Sequence, residues 1–325
     1  MLTADQILLL FSMKGPMLMT NPKFMTPVIT AFDENGNLDT QSNLHIYDFL
    51  IDAGIDGLLI MGSAGEFYAL THEEKKQLID LSITHIHGRI KTLYGTGCMT
   101  VEESIELSQY AVEKGAKDII LMSPYYFGLS EDILYDYFGK IAQSVNCNVY
   151  LYNFPARTGY DLSPELTLKL IHDFPNIVGY KDTVSDMAHT RKLIRAIAPK
   201  YPNFEIYSGF DENYTRNVLS GGNGGIGALS NLYPELFVKL VKATNSKNWD
   251  EINQIQIIID QLMSLYDITP CFIPIIKQAM ILRGLNLQGY CKSPISPATP
   301  AQTNQIKQIL NAIDMSNILA EETVN

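Results

Sequence analysis

Lys181 stands in the run Ile177-Val-Gly-Tyr-Lys181-Asp-Thr183, whose other members suit a buried strand. An ammonium taken out of water without a partner is costly, and the usual response of such a group is to release its proton. A neutral amine in a pocket attacks carbonyl carbon and forms an imine. A lysine at a rim, paired with Asp182 or another acid, fits the same letters, and the local sequence leaves both readings open. Tyr150-Leu-Tyr152-Asn-Phe-Pro-Ala-Arg157-Thr-Gly159 ends another strand-like run. A tyrosine there passes a proton when its hydroxyl belongs to a chain of hydroxyls, and the guanidinium is a forked donor for a carboxylate. A core tyrosine and a surface arginine would look alike. In Gly62-Ser63-Ala64-Gly65-Glu66, two glycines around a hydroxyl let backbone N–H groups converge on an anion, although a plain tight turn has this composition too. Ser123-Pro-Tyr-Tyr126 sets two phenols after a fourth apolar run, and glycines crowd 221–227 around Ile226, permitting close approach of a ligand or tight corner packing.

Other chemistries find little in the chain. Of six histidines only His85 and His87 are close, and an i, i+2 pair does not share a helix face, so no metal site is expected. The nucleophile turn G-x-S-x-G is missing.

The elements that must position these residues alternate from about residue 26 to 243. Eight apolar or β-branched runs are Val28–Phe32, Gly57–Gly62, Ile90–Gly97, Asp118–Pro124, Asn148–Pro155, Ile177–Thr183, Phe204–Gly209 and Gly224–Asn231. Most are continuously apolar, as parallel strands covered on both faces should be. Helices are expected near 39–53, 71–87, 101–114, 130–145, 163–172, 185–198, 211–221 and 233–243. Thr71-His-Glu-Glu74 and Thr100-Val-Glu-Glu103 fit capping boxes, and Ser163-Pro164 sets a cap before a proline at the first helical position. Eight β/α units in order imply a (β/α)8 TIM barrel rather than an open doubly wound sheet, because no Gly-rich dinucleotide turn follows the first strand. In such a barrel function sits at the strand C-termini. Helices over Trp249–Leu265, Ile273–Arg283 and Ala301–Leu319, with three prolines in Ser293–Pro300, read as a C-terminal appendage. The expected organisation is an N-terminal extension over 1–24, a barrel over 25–245 and a helical appendage over 246–325.

The 325 residues carry 24 basic and 35 acidic side chains, a formal net charge of −11. That balance argues against nucleic acid or anionic membrane as partner, and no run approaches the ~18 apolar residues of a span. Four scattered cysteines without a C-x-x-C pair, and an N-terminal apolar run lacking a basic cluster, suggest a reduced cytoplasmic protein.

Taken together, G-S-A-G-E at 62–66, Gly95-Thr-Gly97, S-P-Y-Y at 123–126, Y-N-F-P-A-R-T-G at 152–159 and G-Y-K-D-T at 179–183 resemble the dihydrodipicolinate synthase / N-acetylneuraminate lyase family across residues 25–310. The resemblance implies a Schiff-base lyase or synthase without metal or organic cofactor, acting on pyruvate and usually homotetrameric. It implies that Lys181 forms the imine and that Tyr152 shuttles protons. Ser63 would link Tyr152 to a second phenol, Tyr126, which the family supplies across a subunit contact. The Ser63-Ala64 backbone would hold the 2-oxo carboxylate, and the main chain at Ile226 would line the pyruvate pocket. Arg157 matches the arginine with which dihydrodipicolinate synthases hold the carboxylate of aspartate semialdehyde. Ala64, however, replaces a hydroxyl residue of those synthases, a loss of ~0.5–1.5 kcal/mol for one hydrogen bond. G-S-A-G-E-F, N-F-P-A, K-D-T-V-S-D and G-F-D-E at 209–212 look closer to aldolases of 2-keto-3-deoxy sugar acids. The leading expectation is therefore reversible cleavage of such an acid to pyruvate and an aldehyde. The alternatives are condensation of pyruvate with aspartate semialdehyde and a non-catalytic relative that binds 2-oxo acids.

Overall fold

The computed structural model describes residues 21–313 and 315. Eight parallel strands close in chain order: β1 Lys23–Pro27, β2 Gly57–Ile60, β3 Lys91–Gly95, β4 Asp118–Met122, β5 Asn148–Asn153, β6 Ile177–Asp182, β7 Glu205–Ser208 and β8 Gly224–Ile226, which returns to β1. Around them run α1 Thr40–Asp52, α2 His72–Ile86, α3 Val101–Lys114, α4 Glu131–Ser144, α5 Pro164–Asp173, α6 Met187–Ile197, α7 Tyr214–Leu219 and α8 Pro234–Ser246. This is the expected (β/α)8 barrel. Three further helices, α9 Trp249–Met263, α10 Ile273–Leu282 and α11 Pro300–Ala312, form the appendage. One hydrophobic core runs unbroken from the strands through the helices into this appendage.

Two of the three caps form in full and one in part. Thr71 accepts the Glu74 N–H while the Glu74 carboxylate accepts the Thr71 N–H, a complete reciprocal box. Thr100 accepts the Glu103 N–H, but the Glu103 carboxylate takes the Thr100 hydroxyl, so that box is half made. Ser163 caps α5 through the Leu166 N–H, with Pro164 at the first helical position.

Two ends of the barrel differ from expectation. The first strand is Lys23–Pro27, not Val28–Phe32, so Lys23 and Phe24 belong to the barrel rather than to an extension. Residues 1–20 of that extension lie outside the described residues. Val28–Phe32 is as buried as a strand, but after Val28, whose N–H still reaches Leu59 O at 3.0 Å, side-chain amides take up alternate N–H groups: Ile29 donates to Asn231 Oδ1 at 3.1 Å and Ala31 to Asn43 Oδ1 at 3.0 Å. An apolar run marks burial but does not say what accepts its backbone donors. At the other end β8 stops at Ile226, and a 3-10 turn over Ala228–Asn231 follows. The segment expected as one helix over 211–221 is a 3-10 turn, Asp211–Asn213, leading into the short α7. The last helix ends at Ala312, and most of its expected continuation to Leu319 lies outside the described residues.

Candidate active site

β5 and β6 pair with Tyr152 opposite Lys181 and Asn153 opposite Asp182. Successive side chains of a strand point to opposite faces, so Tyr152 and Lys181 share one face while Asn153 and Asp182 share the other. The first pair faces the barrel mouth. Lys181 is 3% exposed and Tyr152 4%. The Lys181 Nζ lies 4.2 Å from the centroid of the Tyr152 ring, and the Tyr152 hydroxyl lies 3.3 Å from Ser63 Oγ.

Ser63 reaches this position on a tightly held loop after β2. Met61 and Glu66, at its two ends, have φ of 60° and 58°. These are left-handed values that cost a side-chain-bearing residue energy and persist only where the surroundings enforce them. Glu66 supplies the enforcement. Its carboxylate meets Lys277 Nζ of α10 at 2.6 Å, with both side chains fully buried, and accepts the Lys292 N–H at 2.8 Å. Lys277 also donates to Tyr290 O at 2.7 Å. The loop's own turn bonds run from Gly65 N to Gly62 O and from Glu66 N to Ser63 O. They leave the N–H groups of Ser63 and Ala64 without an acceptor among the described residues.

Lys181, Tyr152, Ser63, Ala64, Arg157 and Thr183 all line one cavity of about 270 Å³. It adjoins a chamber of about 390 Å³ walled by Phe67, Tyr68, Met122, Tyr125 and Ile273, and the two share Ser63, Phe154, Arg157, Pro270 and Phe272. Arg157 is exposed at this junction, its guanidinium 3.4 Å from Pro270 O and 5.6 Å from the Phe154 ring centroid. Ile226 is fully buried opposite Met25, and Gly209, Phe210 and Ala228 form that part of the cavity wall. Tyr126 stands apart from the cavity of its own chain. It is 78% exposed and packs edge-on against Phe127, itself 71% exposed.

The pairing of Lys181 with Asp182 does not occur. Asp182 faces away from the cavity, where it accepts from Asn153 Nδ2 at 2.9 Å, Thr190 Oγ1 at 2.6 Å and His189 Nδ1 at 2.9 Å. Strand alternation alone excludes a side-chain bond between neighbours in the strand.

Two residues join the site that the sequence singled out only as letters of motifs. Thr183 is 4% exposed, lines the cavity, and its Oγ1 has no hydrogen-bond partner. Asp211, at the start of the turn after β7, is 1% exposed and accepts from Leu229 N at 3.1 Å and from the Tyr266 hydroxyl at 3.0 Å. Burial raises its pKa to about 7, against the lowering effect of those two donors and of the Lys181 charge. Its carboxylate occupies the space where a side chain at 227 would begin: a Cβ on Gly227 would lie 2.2 Å from Asp211 Oδ1. Tyr266, a cavity residue from the appendage, had no signal in the sequence beyond an aromatic letter.

Among the described residues no group of three or more His, Cys, Asp or Glu is placed to hold a metal ion, and no helix is long and apolar enough to cross a membrane.

Comparison with known proteins places these features in a common setting. The sequence pattern of the dihydrodipicolinate synthetase family matches residues 21–313. The chain is 37% identical over 289 residues to YagE of Escherichia coli (strain K12), whose name assigns it provisionally as a 2-dehydro-3-deoxy-D-gluconate aldolase; the match covers 89% of this chain and 96% of YagE. It is 34% identical over 286 residues to YjhH of the same strain, provisionally a 2-dehydro-3-deoxy-D-pentonate aldolase, covering 88% and 95%. A 4-hydroxy-tetrahydrodipicolinate synthase of Kosmotoga olearia is 34% identical over 283 residues, covering 87% and 95%. The crystal structure of YagE in complex with pyruvate superposes with a TM-score of 0.88 at 36% identity, covering 90% of this chain and 98% of that one.

Proposed function

Since the chain belongs to the dihydrodipicolinate synthetase family and is a carbon–carbon lyase, we propose that it cleaves a 2-keto-3-deoxy sugar acid reversibly to pyruvate and an aldehyde through an imine on Lys181. One observation carries the reading: a buried amine 4.2 Å from the ring of a tyrosine whose hydroxyl lies 3.3 Å from Ser63, at the mouth of a parallel barrel. In its neutral form Lys181 Nζ adds to C2 of the keto acid; the Tyr152 hydroxyl protonates the departing carbinolamine oxygen, so that water leaves and an iminium and a Tyr152 phenolate remain. Tyr152 removes the proton of the C4 hydroxyl. The C3–C4 bond breaks, its electron pair enters the iminium to give an enamine, and the aldehyde departs. Protonation of the enamine at C3 and hydrolysis release pyruvate and restore the amine.

The two open N–H groups of Ser63 and Ala64 suit the 2-oxo carboxylate, and the unpartnered Thr183 hydroxyl suits a hydroxyl of the sugar chain. The named relatives YagE and YjhH support a 2-dehydro-3-deoxy sugar acid as substrate. The exposed Tyr126–Phe127 pair favours a homotetramer in which Tyr126 of one copy reaches Ser63 of another. Cytoplasmic location and independence of metal and organic cofactor complete the proposal.

Incubation with pyruvate and borohydride should leave a reduced adduct on Lys181, located by peptide mass. No adduct there, or an unchanged adduct in Lys181→Ala, overturns the proposal. Arg157 at the cavity junction favours a second reading, condensation of pyruvate with aspartate semialdehyde. That reading requires semialdehyde turnover that Arg157→Ala impairs, and it falls if turnover is absent or indifferent to the substitution.

A further inference from the structure

Behind β5 and β6, on the side away from the cavity, four side chains close a ring. Asn153 and Asp182 each follow a cavity residue by one position and so project toward the helices. Asn153 Nδ2 donates to Asp182 Oδ1 at 2.9 Å and to Asp161 Oδ1 at 2.6 Å. His189, in the first turn of α6, donates from Nδ1 to Asp182 Oδ2 at 2.9 Å, and its Nε2 lies 3.2 Å from Asp161 Oδ2. Nε2 sits off the axis of a hydrogen bond, so this last side is an ion pair. Thr190 Oγ1 adds a bond to Asp182, and the Leu162 N–H donates to Asn153 Oδ1 at 3.1 Å. Asn153 and Asp182 are each 1% exposed, so the ring stands in a low dielectric, where a satisfied network is rigid and a broken one is costly.

The titratable groups facing the imidazole are Asp182 from β6 and Asp161 from the connection after β5. The adjacent Tyr180 hydroxyl is turned to Leu162 O at 2.9 Å, and Asp186, on the helix of His189 itself, caps the Ala188 N–H. Burial opposes the imidazole's charge, but the bond to Asp182 and the charges of both carboxylates outweigh it and raise its pKa above the ordinary value.

We propose that His189 is a positioning residue for the imine-forming pair: by closing this ring it locks the ends of β5 and β6 together, and so sets the Tyr152 ring against the Lys181 amine on the opposite face. The inference rests on the imine reading given above. Loss of the imidazolium proton leaves two carboxylates converging on Asn153 with one fewer donor between them. The strand ends then part, although neither cavity residue has changed.

The test is the rate of borohydride-trapped adduct formation from pyruvate, per folded chain, for wild type, His189→Leu and His189→Asn across pH. At low pH His189→Leu should be slower than wild type by about tenfold to a hundredfold, as displaced reacting groups are. Its apparent KM for pyruvate should stay within about twofold, since binding groups are untouched. His189→Asn, which retains a donor toward Asp182 but carries no charge toward Asp161, should recover only part of the rate at low pH. The ratio of wild type to either variant should shrink as pH rises through the imidazole value. A merely structural histidine would leave the ratio independent of pH, and that outcome, or a His189→Leu protein as fast as wild type, overturns the proposal. Should His189→Leu fail to fold, the ratio of wild type to His189→Asn carries the same decision. A wild type that forms no adduct instead overturns the imine reading itself, and this inference with it.

Discussion

Asp211, buried near the barrel mouth, ties the stability of the fold to pH. Its folded pKa of about 7 lies above its ordinary value of 3.8. Between those values the folded chain binds a proton that the unfolded chain releases, so stability is fully present at low pH and is lost as pH rises through about 7. Urea midpoints at pH 5 and pH 8 should therefore fall more for wild type than for Asp211→Asn, which cannot titrate; parallel pH dependences would refute the assignment. Lys181 stood out as an anomaly, a lysine inside an apolar run where burial is expensive, whereas Tyr152 at a strand end fitted a core position equally well. Asp211 and Thr183 did not stand out, because their roles come from burial and unmet hydrogen bonds. His189 read as one more helix residue, since its acidic partners stand 7 and 28 positions away.

At the level of elements, the strand–helix alternation was readable because most of the parallel strands are apolar on both faces and many of the helices begin with a side-chain cap. Strand ends were less so. Val28–Phe32 has strand composition, yet Asn43 and Asn231 take two of its donors, and no local pattern announces the second of these amides, some 200 positions away. The approach of β3 to β2 is another feature of this kind. A Cβ on Gly95 would lie 2.1 Å from Met61 O, a backbone atom at the strained end of β2. Gly95→Ala must push the strands apart just where the Ser63 loop begins. It should cost ~1–3 kcal/mol in urea unfolding, as overpacking does, and slow adduct formation per folded chain. Unchanged unfolding would mean that β2 yields without cost.

Across the whole molecule, the appendage is tied to the barrel mouth through a buried ion pair, Glu66 with Lys277. Removing one partner strands a charge in the interior. Lys277→Met should cost ~3–5 kcal/mol, measured as a fall in the urea midpoint at constant m-value, and adding Glu66→Gln should return part of that loss. Equal stability of the single and double variants would show that water reaches the orphaned carboxylate. Neither residue is remarkable by type, and only the closed fold brings positions 66 and 277 to 2.6 Å. Their separation of 211 residues also sets an order of events during synthesis. Glu66 leaves the ribosome long before its counter-ion exists, so a nascent chain can complete all eight strands while the turn bearing Ser63 still lacks its anchor. The turn bearing Ser63 is therefore fixed only once α10 has been made, by a residue that follows the last barrel strand in the chain.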